Sequence, residues 1–146
     1  MPFDPALYTF TAETPPVDDY RRLRAVSGLS PKTQDAALRG LPGTCHGVVV
    51  RFEGRAVAMG RVIGDGGCFF QVVDMAVEPA HQGHGLGKRI FGDLMAWLHE
   101  NAPESAYVSL VADGEARHLY AKFGFEPVMP ASIGMALRIG GRAGEG

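Results

Sequence analysis

The chain has 146 residues, 46% hydrophobic and 21% charged, with a formal net charge of -2. That length fits one domain with a single core, and the near-neutral balance excludes a broad electrostatic pull toward nucleic acid or an anionic membrane. No run of ~18 apolar residues occurs, and the opening MPFDPALYTF lacks a basic leader before an apolar stretch, so no membrane partner is expected. Cys45 and Cys68 match neither a metal-ligand pair nor a disulfide framework. They read as two buried thiols in a reducing cytoplasm, with no metal.

In chain order, ALYTFT mixes aromatic and β-branched residues and reads as a short strand. ETPPVDD breaks that pattern and can cap a helix. Tyr20, Leu23 and Val26, with Leu29 beyond, make the apolar stripe of this helix and turn Arg21, Arg22 and Arg24 toward solvent. GLSPK stops it, and Ser30 before Pro31 starts a second helix that runs to about Leu41. The period then changes. CHGVVVRFEGRAVAMGRVIGDGGCFFQVVDMAVEP is rich in Val and Phe, and turns at Glu53-Gly54 and Gly64 to Gly67 divide it into three antiparallel strands. The third, about Cys68 to Val77, is apolar on both faces and belongs in the sheet interior. Leu86, Ile90, Leu94 and Leu98 then recur at helical spacing as far as Asn101. AYVSLVA is another strand, GEARHLYAKFG a short helix closed by Gly124, and FEPVMPASIGMALRI a terminal pair of strands. The domain is expected to span 1–139 and the tail 140–146 to be disordered.

The glycine loop HQGHGLGKR, His81 to Arg89, lies between the third of those strands and the long helix. A dinucleotide fingerprint fails on spacing, because from Gly83 its last glycine falls on Lys88 and from Gly85 on Ile90. A phosphate-binding P-loop fails as well, since its first glycine and its hydroxyl would fall on Gln82 and Arg89. What remains is Q-x-x-G-x-G at a helix start. There, unpaired N–H groups and the helix dipole attract phosphate. Glycines at Gly83, Gly85 and Gly87 let a diphosphate approach the backbone, and Lys88 and Arg89 add charge at the rim.

These residues carry a family resemblance. VVDMAVEPAHQGHGLGKRI resembles the acyl-CoA-binding motif of the GCN5-related N-acetyltransferases, and ARHLYAKFGFEPV resembles that family's later Leu-Tyr and Gly-Phe segment. The resemblance runs from about residue 7 to 139. It implies a mixed α/β (α+β) fold with a mostly antiparallel sheet of six to seven strands, about four flanking helices, and fourth and fifth strands splayed to admit acetyl-CoA. It also implies backbone contacts to the cosubstrate from Met75, Ala76 and Val77, and pyrophosphate contacts from Gln82, Gly83, His84, Gly85, Leu86, Gly87 and Lys88. Tyr120 falls where many members place the acid that protonates the leaving thiolate, a task suited to a phenol. Asp74, just before the Met75 to Val77 triplet, is the candidate general base, with a water chain as the alternative. VVDMAV also resembles the same strand of the glucosamine-6-phosphate acetyltransferases. Asp113 stands where members often carry an asparagine near the pantetheine arm, and as a carboxylate it can accept but not donate a hydrogen bond. Glu78, before Pro79, is expected to be solvated, as are the loop histidines His81 and His84. His46 and His99 read as structural or surface residues and His118 as a tunnel-lining candidate.

The acceptor is expected between SGLSPKT, Ser27 to Thr33, and PASIGM, Pro130 to Met135. Neither stretch is strongly charged, which favours a neutral or hydrophobic primary amine, whereas Asp74 and Asp113 facing the cleft would favour a cationic one. The resulting expectation is direct acetyl transfer to a small-molecule amine in a ternary complex. A protein N-terminal or lysine acetyltransferase and a non-catalytic CoA-binding module are the alternatives. Homodimerisation stays open.

Overall fold

The structure is a computed structural model that describes residues 4–140. The chain divides into two compact units, one ending at Leu110 and one beginning at Val111. The first holds strands β1 (Tyr8–Ala12), β2 (Thr44–Phe52), β3 (Arg55–Gly64), β4 (Phe69–Val77) and β5 (Tyr107–Ser109), with helices α1 (Val17–Val26), α2 (Gln34–Gly40) and α3 (Leu86–Asn101). The second holds α4 (Ala116–Ala121).

The strands form one sheet in the order β1-β2-β3-β4-β5. The first four pair antiparallel and β5 joins β4 in parallel. Tight hairpins join β2 to β3 and β3 to β4, whereas β1 reaches β2 only by way of α1 and α2. Glu53 and Gly54 both adopt positive φ, 52° and 79°, as the two-residue turn between β2 and β3 requires.

The two faces of the sheet carry different helices. Along β3, a Cβ at Gly60 would meet Ile90 and Leu94 of α3, while its neighbour Met59 packs with Tyr20 and Leu23 of α1 and Ala37 of α2. Successive strand residues point to opposite faces, so α3 covers one side and α1 with α2 the other. On the α3 side Ile90, Phe91 and Leu94 are fully buried, each contributing about 1.5–3 kcal/mol relative to exposure. The period-four spacing read from the sequence is therefore the buried stripe of α3.

Four expectations need correction. The sheet has five strands rather than six to seven, because residues 125–139 contain no strand. The apolar alternation there is real, but a strand exists only through its ladder, and Pro127 and Pro130 remove two donors. The second helix starts at Gln34 rather than near Pro31, since Thr33 supplies the cap by accepting the Ala36 N–H at 3.1 Å. Cys45 is half-buried and Cys68 exposed, not two buried thiols. Arg24, expected in solvent, is buried at 8% exposure. The tail from residue 141 lies outside the described residues.

Candidate active site

The site begins where β4 loses a neighbour. β5 pairs only with Phe69, Phe70 and Gln71, so from Val72 to Val77 the outer edge of β4 has no strand beside it among the described residues. An open edge of this kind presents N–H and C=O groups to an extended ligand. Met75, Ala76 and Val77 lie on it.

A bulge aims this stretch. Met59 pairs with Ala76 and Arg61 with Val73, leaving Gly60 alone opposite both Asp74 and Met75. Asp74 takes up the extra residue at φ 59°, a left-handed conformation that Asp tolerates better than most side chains.

Asp74 also anchors a buried polar cluster on the α1–α2 face. Its Oδ1 accepts from Arg24 Nη1 at 2.5 Å and from the Tyr20 hydroxyl at 3.1 Å, and its Oδ2 accepts from Arg61 Nε at 2.7 Å. Arg24 further donates from Nε to the Ser30 carbonyl at 2.8 Å and from Nη2 to Ser30 Oγ at 3.0 Å. Arg61 Nη1 donates to Thr44 Oγ1 at 2.7 Å. Burial, and next the Asp74 charge, push the Tyr20 phenol above its ordinary value, so it stays a donor. Tyr20, Arg24, Thr44 and Arg61 were not singled out from the sequence as site residues. The available signal was charge within apolar strands: Arg61 in MGRVIG and Asp74 in VVDMAV each needed a partner, and adjacent strands supply it.

Beyond β4 the chain turns through Glu78 into the glycine loop. Glu78 is buried rather than solvated, accepting from Arg22 at 3.3 Å and from both Arg55 Nη atoms at 3.2 and 2.7 Å. His81 is held as well, its Nδ1 sharing a 2.7 Å hydrogen bond with the Tyr8 hydroxyl. Gln82 donates from Nε2 to the Val77 carbonyl at 2.9 Å, tying the loop to the end of β4.

Gly83 and Gly85 then take φ of 84° and 80°, and Gly85 is the residue that caps α3. A Cβ at either position would meet nothing within 4 Å, so the space above them is open. The Arg89 N–H bonds to the Gly85 carbonyl at 3.1 Å as the first link of α3. The N–H groups of Leu86, Gly87 and Lys88 therefore precede any intrahelical partner. Alternating left-handed glycines feeding a helix start form a concave set of donors suited to a pyrophosphate. Beside this loop a cavity of about 160 Å³ lies between Tyr8 and Phe10 of β1 and His84, Gly85 and Arg89. The Arg89 guanidinium sits 3.7 Å from the Phe10 ring centre.

In the second unit, Tyr120 lies on α4 and Asp113 precedes that helix, its carbonyl accepting the Ala116 N–H at 3.1 Å. Burial, then the Asp113 charge, raise the Tyr120 phenol above its ordinary value. His118 pairs with Glu115 at 2.6 Å on an exposed part of α4. His46 stacks on Trp97 and bonds Asp93 at 3.0 Å. Among the described residues no group of three or more His, Cys, Asp or Glu could hold a metal, and no helix is long and apolar enough to cross a membrane.

Comparison with known proteins puts this edge-open bulged strand and glycine-capped helix in a class, the acyltransferases with a mixed α/β sheet. Residues 43–127 match the acetyltransferase (GNAT) domain. A Staphylococcus aureus protein of unknown function, considered a probable acetyltransferase, is 44% identical over 90% of this chain and 98% of its own, with a TM-score of 0.85. A GNAT protein of Streptococcus pneumoniae is 20% identical over 90% of this chain and 97% of its own, with a TM-score of 0.71. Glucosamine-6-phosphate N-acetyltransferase of Arabidopsis thaliana shares the fold at a TM-score of 0.63, with 20% identity over 90% and 98% of the two chains. The ribosomal protein bS18-alanine N-acetyltransferase of Haemophilus influenzae is 34% identical over 55 residues, 38% of this chain and 38% of that protein's length. The chain belongs to the GNAT family of acetyltransferases and is an acyltransferase enzyme.

Proposed function

We infer that the protein transfers the acetyl group of acetyl-CoA to the primary amine of a small molecule, through a ternary complex. The open edge of β4 from Val72 to Val77, running directly into the donors of Gly83 to Lys88, carries this reading. Bound there, acetyl-CoA supplies a thioester whose acetyl carbon is open to attack by an amine. The backbone of Met75, Ala76 and Val77 would lie along the pantetheine arm and offer a donor to the thioester carbonyl as it gains charge. The loop from Gln82 through His84, Gly85, Leu86 and Gly87 to Lys88 would hold the pyrophosphate. Tyr120, kept protonated by a value that burial and the Asp113 charge raise, would donate to the leaving thiolate.

Asp74 fits a different task from the base expected of it. Both its oxygens are engaged by guanidinium groups, and taking an amine proton would set two buried arginines against a neutral acid. The amine proton then leaves through water, and Asp74 fixes the bulge and the α1–α2 loop instead. The acceptor approaches from the α1–α2 face, where Ser27 to Thr33 lie.

A second reading, acetylation of a protein N-terminus, draws its support from the bS18-alanine N-acetyltransferase match. Calorimetric titration with acetyl-CoA, then thiol release against a panel of small amines and short peptides, tests both. Binding with consumption of small amines is the expected result. Consumption of peptides alone selects the second reading, and no binding removes both.

A further inference from the structure

The cluster around Asp74 contains more positive charge than negative. Two guanidinium groups, Arg24 and Arg61, share one carboxylate, with side chains 9%, 8% and 5% exposed respectively. The neighbouring carboxylates do not close the gap: Glu13 is taken by Arg51, and Glu78 by Arg22 and Arg55. Tyr20 stays neutral. A unit of positive charge held this far from water is costly unless an anion meets it.

The donor inventory points to where that anion would bind. Arg24 spends all three of its nitrogens, on Asp74 and Ser30. Arg61 spends Nε on Asp74 and Nη1 on Thr44, and its Nη2 has no hydrogen-bond partner among the described residues. No fully enclosed side-chain nitrogen or oxygen is left unpaired among those residues, so this Nη2 is not fully enclosed, and the Tyr20 ring lies over the guanidinium with its centre 5.4 Å from Cζ. Asp74 fixes the guanidinium plane beside the bulge, one residue from Met75.

We propose that the acceptor amine carries an anionic group, a carboxylate or phosphate, which is received by Arg61 at this cluster. The proposal rests on the reading of the α1–α2 face as the acceptor side. It reverses the cationic preference that Asp74 alone would give, because Asp74 is neutralised twice over. Arg24, fixed to Ser30, holds the α1–α2 loop against the cluster and acts as a positioning residue.

Paired substrates test it on the purified chain: β-alanine against its amide, phosphoethanolamine against ethanolamine, and a short peptide with Glu or Gln in its second position. The expected result is a kcat/KM about tenfold or more higher for the anionic member of at least one pair, the size of one charge-assisted hydrogen bond. The carboxylate and phosphate pairs tell the two sources apart. Arg61→Gln should bring that ratio close to one, and Arg61→Lys should restore part of it. If Arg61→Gln does not fold, added sulfate or acetate gives the answer in the unaltered chain, raising KM for the anionic member alone. Acetyl-CoA binding and amine consumption with no preference for anionic members overturns the proposal. Failure to bind acetyl-CoA overturns the proposed function and this inference with it.

Discussion

Arg61 of β3 and Asp74 of β4 meet across 2.7 Å with both side chains less than a tenth exposed, and Arg24 closes on the same carboxylate at 2.5 Å from α1. One buried acid thus joins two strands and a helix at the bulge that presents Met75, Ala76 and Val77.

Asp74→Asn separates the structural role from the catalytic one. Removing the partner of a buried ion pair typically costs about 3–5 kcal/mol, because the remaining charges are left unpaired. Urea unfolding should therefore show a large loss of stability. In the surviving folded enzyme, the pH profile of kcat/KM should keep its shape. A drop of about 10²–10⁴ in kcat with little change in stability is the signature of a lost base and would restore that role to Asp74.

The glycine loop makes a different prediction. Gly85 holds φ 80° with open space above it, so Gly85→Ala meets no neighbour in the protein but strains the backbone by roughly 1–2 kcal/mol. Its Cβ also enters the open space where the proposed pyrophosphate would sit. Acetyl-CoA affinity should fall by about tenfold or more, the equivalent of one charged hydrogen bond, with a modest drop in Tm. Unchanged affinity in calorimetry would show that the ligand does not approach this backbone.

Much of this architecture was readable from residue pattern, for identifiable reasons. α3 was legible because Leu86, Ile90, Leu94 and Leu98 repeat at the helical period, and all four are buried. The three-strand stretch was legible because Glu53-Gly54 and the glycines near 65 are turn chemistry, which is local. What failed was non-local. The terminal strands were read from the stretch FEPVMPASIGMALRI alone, and a local stretch carries no information about a pairing partner. Arg24 was assigned to solvent from a stripe that did not include it, whereas its position depends on Asp74, fifty residues away in the chain. Glu78 was misjudged for the same reason, since Arg22 and Arg55 reach it from α1 and β3.

Tyr120→Phe tests the proton donor. Burial and Asp113 raise the phenol above its ordinary value, and only the protonated form can donate. The rate should thus hold through neutral pH and fall as pH rises through that raised value. The Phe variant should lose about 10²–10⁴ in kcat and also lose this alkaline limb, with acetyl-CoA affinity preserved. Asp113→Asn should move the limb down toward the ordinary tyrosine range. A Phe variant with undiminished kcat would assign Tyr120 to packing.

The turn between β3 and β4 carries a pH-dependent contribution to stability. Asp65 Oδ1 accepts the N–H groups of Gly67, Cys68 and Phe69 at 2.9, 2.8 and 3.1 Å. The bonds from Gly67 and Phe69 lead in holding its carboxyl below the ordinary range. A depressed folded value means that the stabilisation is complete above the unfolded, ordinary value and is lost as pH falls through the lower folded one. Asp65→Asn keeps an acceptor oxygen but removes the charge. Its urea midpoint should fall below that of the unaltered chain at neutral pH, and the two should converge as pH drops beneath the ordinary aspartate range. A gap that stays constant throughout that range would show that the ionised carboxylate, as opposed to the acceptor alone, contributes nothing to the turn.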